Sequence, residues 1–341
     1  MTDPAGLELL AERVGKLPDY FRVLLSRDGP ATRTCSRIVA TGLGSSEAHA
    51  RYLVSLCQRF TSVSARFAPL ADFIHPPTAS RESLVIFSQG LSQNTRLVFR
   101  SRTQFNQTIL FTAASPEGLV ASGKPDRAEL LSALKVEGAE VIRFPLEDEY
   151  TILVRVIGPA CGFLAARLWA QGLPGFRLPP LDEPSWNNWS SRLSPPVDWF
   201  IQNAGALSNG FVILAPGVVV ESGYNLVSKF VEGLFWPAPT LLDYLSFAHG
   251  PFQQLAARPR PVVLLVGDSP EDRDLADRAS RMCRSIRIPT VEIPLPGCPS
   301  VAPILAEFLW NPILVALALQ LGVNQRDWPG KGLDSPLYAY P

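Results

Sequence analysis

The sequence predicts an α/β protein of two halves, each a doubly wound parallel sheet flanked by helices. Three observations predict it. The 341 residues amount to roughly two domains at about 150 residues each. Short continuous apolar runs alternate with longer stretches of helical period, the pattern of strands buried on both faces of a helix-covered sheet. That alternation stops in 172–196, rich in Pro, Trp, Asn and Ser, and then restarts. The expected organisation is an N-terminal helix (1–30), a first α/β domain (31–171), a linker (172–196), and a second α/β domain with a C-terminal tail (197–341).

Leu7, Leu10, Val14, Leu17, Phe21 and Leu24 recur at threes and fours and make 5–27 a helix. Residues 36–40 (SRIVA) read as a short buried strand, closed by Thr41-Gly42-Leu43-Gly44-Ser45-Ser46, with a helix from Glu47. Further strands are expected at 67–71, 83–87, 107–112 and 141–144, and the mostly apolar stretch 150–171 reads as a long helix. In the second half 210–214 is a strand that 218–220 continues or follows with another. A polar turn at 221–225 opens a helix through Glu232. Residues 261–267 and 290–293 are strands, 268–274 an acidic helix start, and 305–321 an apolar helix that Pro312 kinks.

Composition removes several classes of function. Lys plus Arg and Asp plus Glu are 31 each, for a net charge of zero, so there is no basic excess for nucleic acid. The five cysteines are scattered without a CxxC pair, and the three histidines lie in no HExxH-like spacing. Neither a disulfide frame nor a metal site is expected. The N-terminus lacks a basic region followed by an apolar stretch. The run 313–319 falls short of the ~18 residues of a membrane span. These readings predict a reduced, cytoplasmic protein with no metal or cofactor, away from membranes.

In parallel α/β sheets ligands bind beyond the carboxyl ends of the strands, where helix N-termini favour anions such as phosphate. Two segments have that form. Gly42-Leu43-Gly44-Ser45-Ser46 offers close backbone approach and then two hydroxyls. Ser88-Gln89-Gly90-Leu91-Ser92-Gln93-Asn94-Thr95 offers hydroxyls, amides and a glycine. Taken singly, each also reads as ordinary helix capping. Neither GxGxxG nor the P-loop GxxxxGK[ST] occurs.

Taken together, a strand with TGLGSS and, about forty residues on, a strand with SQGLSQNT resemble the SIS (sugar isomerase) family. The second half resembles the isomerase half of glucosamine-6-phosphate synthase, through Glu221-Ser222-Gly223-Tyr224-Asn225, Phe230-Val231-Glu232-Gly233, Phe247-Ala248-His249-Gly250-Pro251, and 323–331 with Val323, Gln325 and Lys331 in place. The resemblance covers about 35–335. It implies two SIS domains and a phosphosugar ligand held by Gly44, Ser45, Ser46, Ser88, Gln89, Ser92 and Thr95. It also implies a homodimer in which the neighbour's histidine completes the site, with no cofactor.

The chemistry implied is that of an aldose–ketose isomerase, or of a deglycase, acting on an amino-sugar phosphate or sugar–amine adduct. A histidine opens the ring (His249), a carboxylate shuttles a proton between carbons one and two (Glu232), and a lysine stabilises the developing oxyanion (Lys331). His49 and His75 carry no motif and read as structural. The sequence departs from the family in two places. SQGLSQNT is one residue short, and the segment from Glu232 to His249 is about six residues short, with Asp243 its only intervening carboxylate. Two alternatives therefore stand: a non-catalytic phosphosugar sensor, or a site for an unphosphorylated ligand. Asp243 stands beside Glu232 as a candidate shuttle.

Overall fold

The apolar runs of the first half assemble into one parallel sheet and those of the second half into another. The computed structural model describes residues 4–27, 32–75, 80–146, 149, 151–297 and 299–338. They divide into a first lobe (Pro18–Glu149, Ile157–Leu181, Pro329–Pro341) and a second lobe (Met1–Leu17, Tyr150–Val156, Asp182–Trp328). The predicted N-terminal helix is α1 (Pro4–Leu25), which buries Leu7, Leu10, Leu17, Phe21 and Leu24.

The first lobe contains β1 (Arg37–Thr41), α2 (Ser45–Phe60), β2 (Ser64–Phe67), β3 (Ser83–Phe87), α3 (Arg96–Arg100), β4 (Gln107–Thr112), α4 (Pro116–Ala121), α5 (Pro125–Val136), β5 (Glu140–Arg143) and α6 (Ile157–Ala170). Its strands run parallel in the order β2-β1-β3-β4-β5. All of β3 is buried, which is why its sequence shows no alternation. Leu84 and Ile86 join Leu110, Leu131 and Leu134 in a core on one face. On the other face Phe87 stacks on Phe111 at 4.4 Å, and Phe111 meets Trp169 of α6 edge-on at 5.7 Å. Fully burying such a side chain contributes about 1.5–3 kcal/mol.

The second lobe contains α7 (Glu183–Ser190), α8 (Val197–Gln202), α9 (Ala204–Leu207), β6 (Val212–Ala215), α10 (Gly217–Ser222), α11 (Tyr224–Leu234), β7 (Thr240–Asp243), α12 (Tyr244–Phe247), α13 (Pro251–Ala257), β8 (Val262–Gly267), α14 (Pro270–Ser285), β9 (Thr290–Leu295) and α15 (Ala302–Leu321). Its strand order is β7-β6-β8-β9. Counted from its own first strand this is 2-1-3-4, the order of the first sheet without its last strand. A short helix, α16 (Ser335–Tyr338), closes the described chain. Residues Pro299–Leu321 form the one described helix long and apolar enough to cross a membrane, and 78% of its most apolar window is buried within the protein.

Three expected elements fall elsewhere. Strand 67–71 is instead β2, ending at Phe67, because the edge strand registers Arg37 with Ser64 and Ala40 with Phe67, while Leu70–Ile74 coils into a 3-10 turn after Pro69. Residues 218–220 lie in α10: Pro216 has no N–H for the sheet ladder and stands just before the helix start. The helix expected from 150 begins at Ile157, where the Glu149 carboxylate accepts from the N–H groups of Ile157 (2.7 Å) and Gly158 (2.8 Å); Tyr150 lies outside the described residues. Strand β7, entered through Pro237 and Pro239, has no counterpart in the sequence reading.

Candidate functional site

In the first sheet β1 leads outward to β2 on one side, while its other neighbour, β3, leads on to β4 and β5. The chain therefore diverges between β1 and β3, the position at which open α/β sheets bind ligands beyond the carboxyl ends of their strands. Both predicted loops stand there: 42–46 leaves β1, and 88–95 leaves β3.

The first loop turns on Gly42, where any Cβ would come 2.3 Å from the backbone oxygen of Ser46, so no side chain fits. Gly44 precedes α2 with φ of 63° and gives it no side-chain cap. Ser45 and Ser46 start the helix. Their hydroxyls have no hydrogen-bond partner among the described residues, although Ser46 is buried.

In the second loop three hydroxyls converge. Thr95 Oγ1 lies 3.0 Å from Ser88 Oγ and 2.9 Å from Ser92 Oγ. Between them Leu91 takes a left-handed φ of 51° while its side chain is fully buried. That backbone costs about 1 kcal/mol or more, which the burial of the leucine offsets. Arg127 braces the loop by donating to Gly90 O at 3.1 Å, and Asn94 donates to Leu337 O in α16 at 3.1 Å. The Gln89 side chain lies over Gly158, where a Cβ would strike its Oε1 at 2.2 Å. Two buried polar atoms at this end of the sheet, Thr41 Oγ1 and Gln89 Nε2, have no partner among the described residues. Such groups cost about 1–3 kcal/mol each unless something bonds them.

His49 lies on α2 behind the first loop. It is buried, donates from Nε2 to Pro159 O at 2.8 Å, and sits edge-on to Phe163 at 4.7 Å. Burial pushes its pKa down to about 4, against a smaller upward pull from the Pro159 carbonyl. It is a neutral packing residue, as its lack of a motif suggests.

The second sheet has its own divergence, between β6 and β8, but different chemistry. Asp268 follows β8; it accepts from Gly297 N at 2.7 Å and faces Arg192 (3.4 Å) and Arg273 (3.5 Å). A carboxylate there disfavours an anion, and its nearby cations are already engaged. The halves share strand order but carry different side chains at this point.

Glu232 stands two residues before the end of α11, on the approach to the amino end of β7. Burial raises its pKa, while the nearby cations Arg155 and Lys229 pull it down to a smaller extent. Lys229 is itself committed to Glu307, at 2.8 Å, and to Arg155 O, at 3.2 Å. Gln325, fully buried, ties this corner together. It donates to Gly233 O (2.9 Å) and Glu232 O (3.3 Å), accepts from Val154 N on Oε1 (3.1 Å), and its backbone O accepts from Leu153 N (3.0 Å). The sequence motif contained Gln325 but did not single it out. Asp243 caps α12, accepting from Leu245 N and Ser246 N at 2.9 Å each and from the Ser246 hydroxyl. The Ser246 side chain first, and the backbone bonds after it, hold Asp243 below the usual carboxylate range. His249 is exposed, beyond the carboxyl end of β7. Along the chain, β7 thus separates Glu232 from His249. Lys331 is exposed and belongs to the first lobe.

No protein-family model and no curated protein sequence matches the chain. Solved structures do. The C-terminal domain of glucosamine-fructose-6-phosphate aminotransferase from Francisella tularensis superimposes with a TM-score of 0.66 at 11% identity, covering 94% of this chain and 98% of that one. Glucosamine-6-phosphate deaminase from Thermotoga maritima gives 0.65 at 15% identity, covering 95% and 97%. Tagatose-6-phosphate ketose/aldose isomerase from Escherichia coli gives 0.59 at 14% identity, covering 95% and 91%. The chain has the sugar-isomerase fold that its sequence resemblance implies.

Proposed function

We propose that this chain binds a sugar phosphate in the β1/β3 crevice and interconverts aldose and ketose forms of an amino-sugar phosphate, or cleaves the corresponding sugar–amine adduct, as a cytoplasmic homodimer. One observation carries the reading. Ser88, Ser92 and Thr95 converge across a sheet divergence from the unengaged Ser45 and Ser46 hydroxyls, beside the unpartnered Thr41 Oγ1 and Gln89 Nε2. Phosphate oxygens at Gly44, Ser45, Ser46, Ser88, Gln89, Ser92 and Thr95 would satisfy these donors and gain from the α2 dipole.

Glu232 serves as the proton shuttle. Its raised pKa suits a group that takes the carbon-two proton of the open-chain sugar and returns it to carbon one. Asp243 is held ionised as a helix cap, which suits that task less well. His249, exposed and separated from Glu232 by β7, opens the ring of sugar bound by a second copy. Lys331 supports the enediolate oxygen.

The test is deuterium exchange at carbon two for hexose and hexosamine 6-phosphates and their unphosphorylated parents, with binding measured in parallel. Glu232→Gln is expected to retain binding and lose exchange. Binding without exchange in the unaltered protein assigns the chain to the sensor reading, which the shortened segment from Glu232 to His249 favours. Equal binding of the parents overturns the phosphate assignment.

A further inference from the structure

At the far edge of the first sheet, one strand beyond β4, lies a cavity that the phosphosugar reading does not use. Its volume is about 240 Å³, and Leu24, Leu168 and Trp169 supply apolar wall while Arg27, Arg33 and Arg143 supply charge. Arg33 is accounted for: it pairs with Glu140, and its guanidinium lies over the Trp169 ring at 4.8 Å from the centroid. Arg27 and Arg143 are different. Arg27 donates to the backbone oxygen of Arg143, and neither guanidinium forms an ion pair among the described residues. The exposed Glu117 feels Arg143 without forming an ion pair with it. Both residues are exposed at the rim of the cavity; partial burial, and after it the charge of Arg143, lowers the pKa of Arg27. The buried indole N–H of Trp169 has no acceptor among the described residues.

An apolar wall beside two guanidiniums that form no ion pair among the described residues fits one chemistry. Arginine grips carboxylate or phosphate in a planar fork, and an aromatic or aliphatic wall accepts a body without hydroxyls. A sugar would leave its hydroxyls unbonded here. We propose that this cavity is a second ligand site, for a small amphipathic anion: a carboxylate or phosphate joined to one aromatic ring or branched apolar group, with Arg27 and Arg143 on the anion and Leu24, Leu168 and Trp169 around the body.

The experiment is calorimetry on the full chain with 3-phenylpropionate and phenyl phosphate, against the neutral 3-phenylpropionamide, at low and high salt. The expected result is one site per chain, at least tenfold tighter for an anion than for the amide, and weakened by salt. Preference between the two anions identifies the head group. Arg27→Gln with Arg143→Gln removes the preference, and Leu168→Trp, which fills the cavity and keeps both arginines, abolishes binding of every probe; thermal unfolding confirms that each variant is folded. No binding at millimolar probe overturns the proposal, as does equal affinity for anion and amide, or anion binding that survives the double substitution. Displacement of 3-phenylpropionate by a hexose 6-phosphate places the probe in the β1/β3 crevice and also overturns it. A change of oligomeric state in the double variant, with no probe bound by either form, assigns the face to a second copy instead.

Discussion

Lys229 Nζ lies 2.8 Å from Glu307 Oε2, and both side chains are 2% exposed. The pair joins α11 to α15, and Asn225 Nδ2 donates to the other carboxylate oxygen at 2.6 Å. Lys229 is thereby withheld from Glu232, three residues on, although the helix spacing alone allows that pairing. Lys229→Met leaves Glu307 buried and uncompensated. Urea unfolding is expected to show a loss of about 3–5 kcal/mol, while the joint substitution with Glu307→Leu recovers most of it.

Gly162 on α6 makes room for His49: a Cβ there would come 2.2 Å from the imidazole Cε1. Gly162→Ala is expected to cost about 1–3 kcal/mol through overpacking. His49→Ala in the same chain removes the obstacle. The double-mutant cycle should return a coupling energy above about 1 kcal/mol, and additive costs would show that the two groups do not clash.

His49 also sets a pH dependence. Its folded pKa is about 4, against 6.5 for the unperturbed ring. Between those values the unfolded chain binds the proton and the folded chain does not, so stability falls as pH drops from about 6.5 towards 4 and levels off below. Its share approaches roughly 3 kcal/mol, at 1.36 kcal/mol per pKa unit. The comparison is denaturant unfolding at pH 7 and pH 5 for the unaltered chain and for His49→Gln, which keeps a donor for Pro159 O. The difference between the two pH values should shrink in the variant.

Thr95 Oγ1 stands between two serine hydroxyls, which makes it the centre of the proposed phosphate site. Thr95→Val keeps shape and removes the hydroxyl. Sugar-phosphate affinity is expected to fall at least tenfold by calorimetry, while stability changes by about 1 kcal/mol or less. A large stability loss with unchanged affinity would make the trio a structural lock.

Continuous apolar strands and the loops that follow them were legible because burial on both faces writes an unbroken run, as in β3, and because a tight turn such as that at Gly42 demands its residue type. Edge strands were not. β2 carries Ser64 and Arg66 on its solvent side, and β7 follows two prolines, so neither shows a run. The valines at 218–220 misled because local β-propensity yields to Pro216 and to packing. At the site, Ser88 and Thr95 were readable as residue types in a loop. The isolation of Asp243 as a cap and the role of Gln325 depend on hydrogen bonds between distant segments, which no local pattern encodes.

Gln325 gives the sharpest test of how the fold serves the proposed chemistry. Its side-chain amide joins the turn at Val154 to the end of α11, where Glu232 feels the charges of Arg155 and Lys229. Gln325→Leu keeps the bulk but leaves Val154 N and Gly233 O without partners, a cost of about 1–3 kcal/mol for the buried groups. If this amide does no more than fasten the loop, the proposed exchange and its pH profile should match those of the unaltered chain once folded protein is compared. If it positions Glu232, the loosened corner admits water and weakens the desolvation that raises the carboxyl pKa. Carbon-two exchange should then slow, and the acidic limb of its pH profile should move to lower pH, while sugar-phosphate affinity at the hydroxyl trio stays within about twofold.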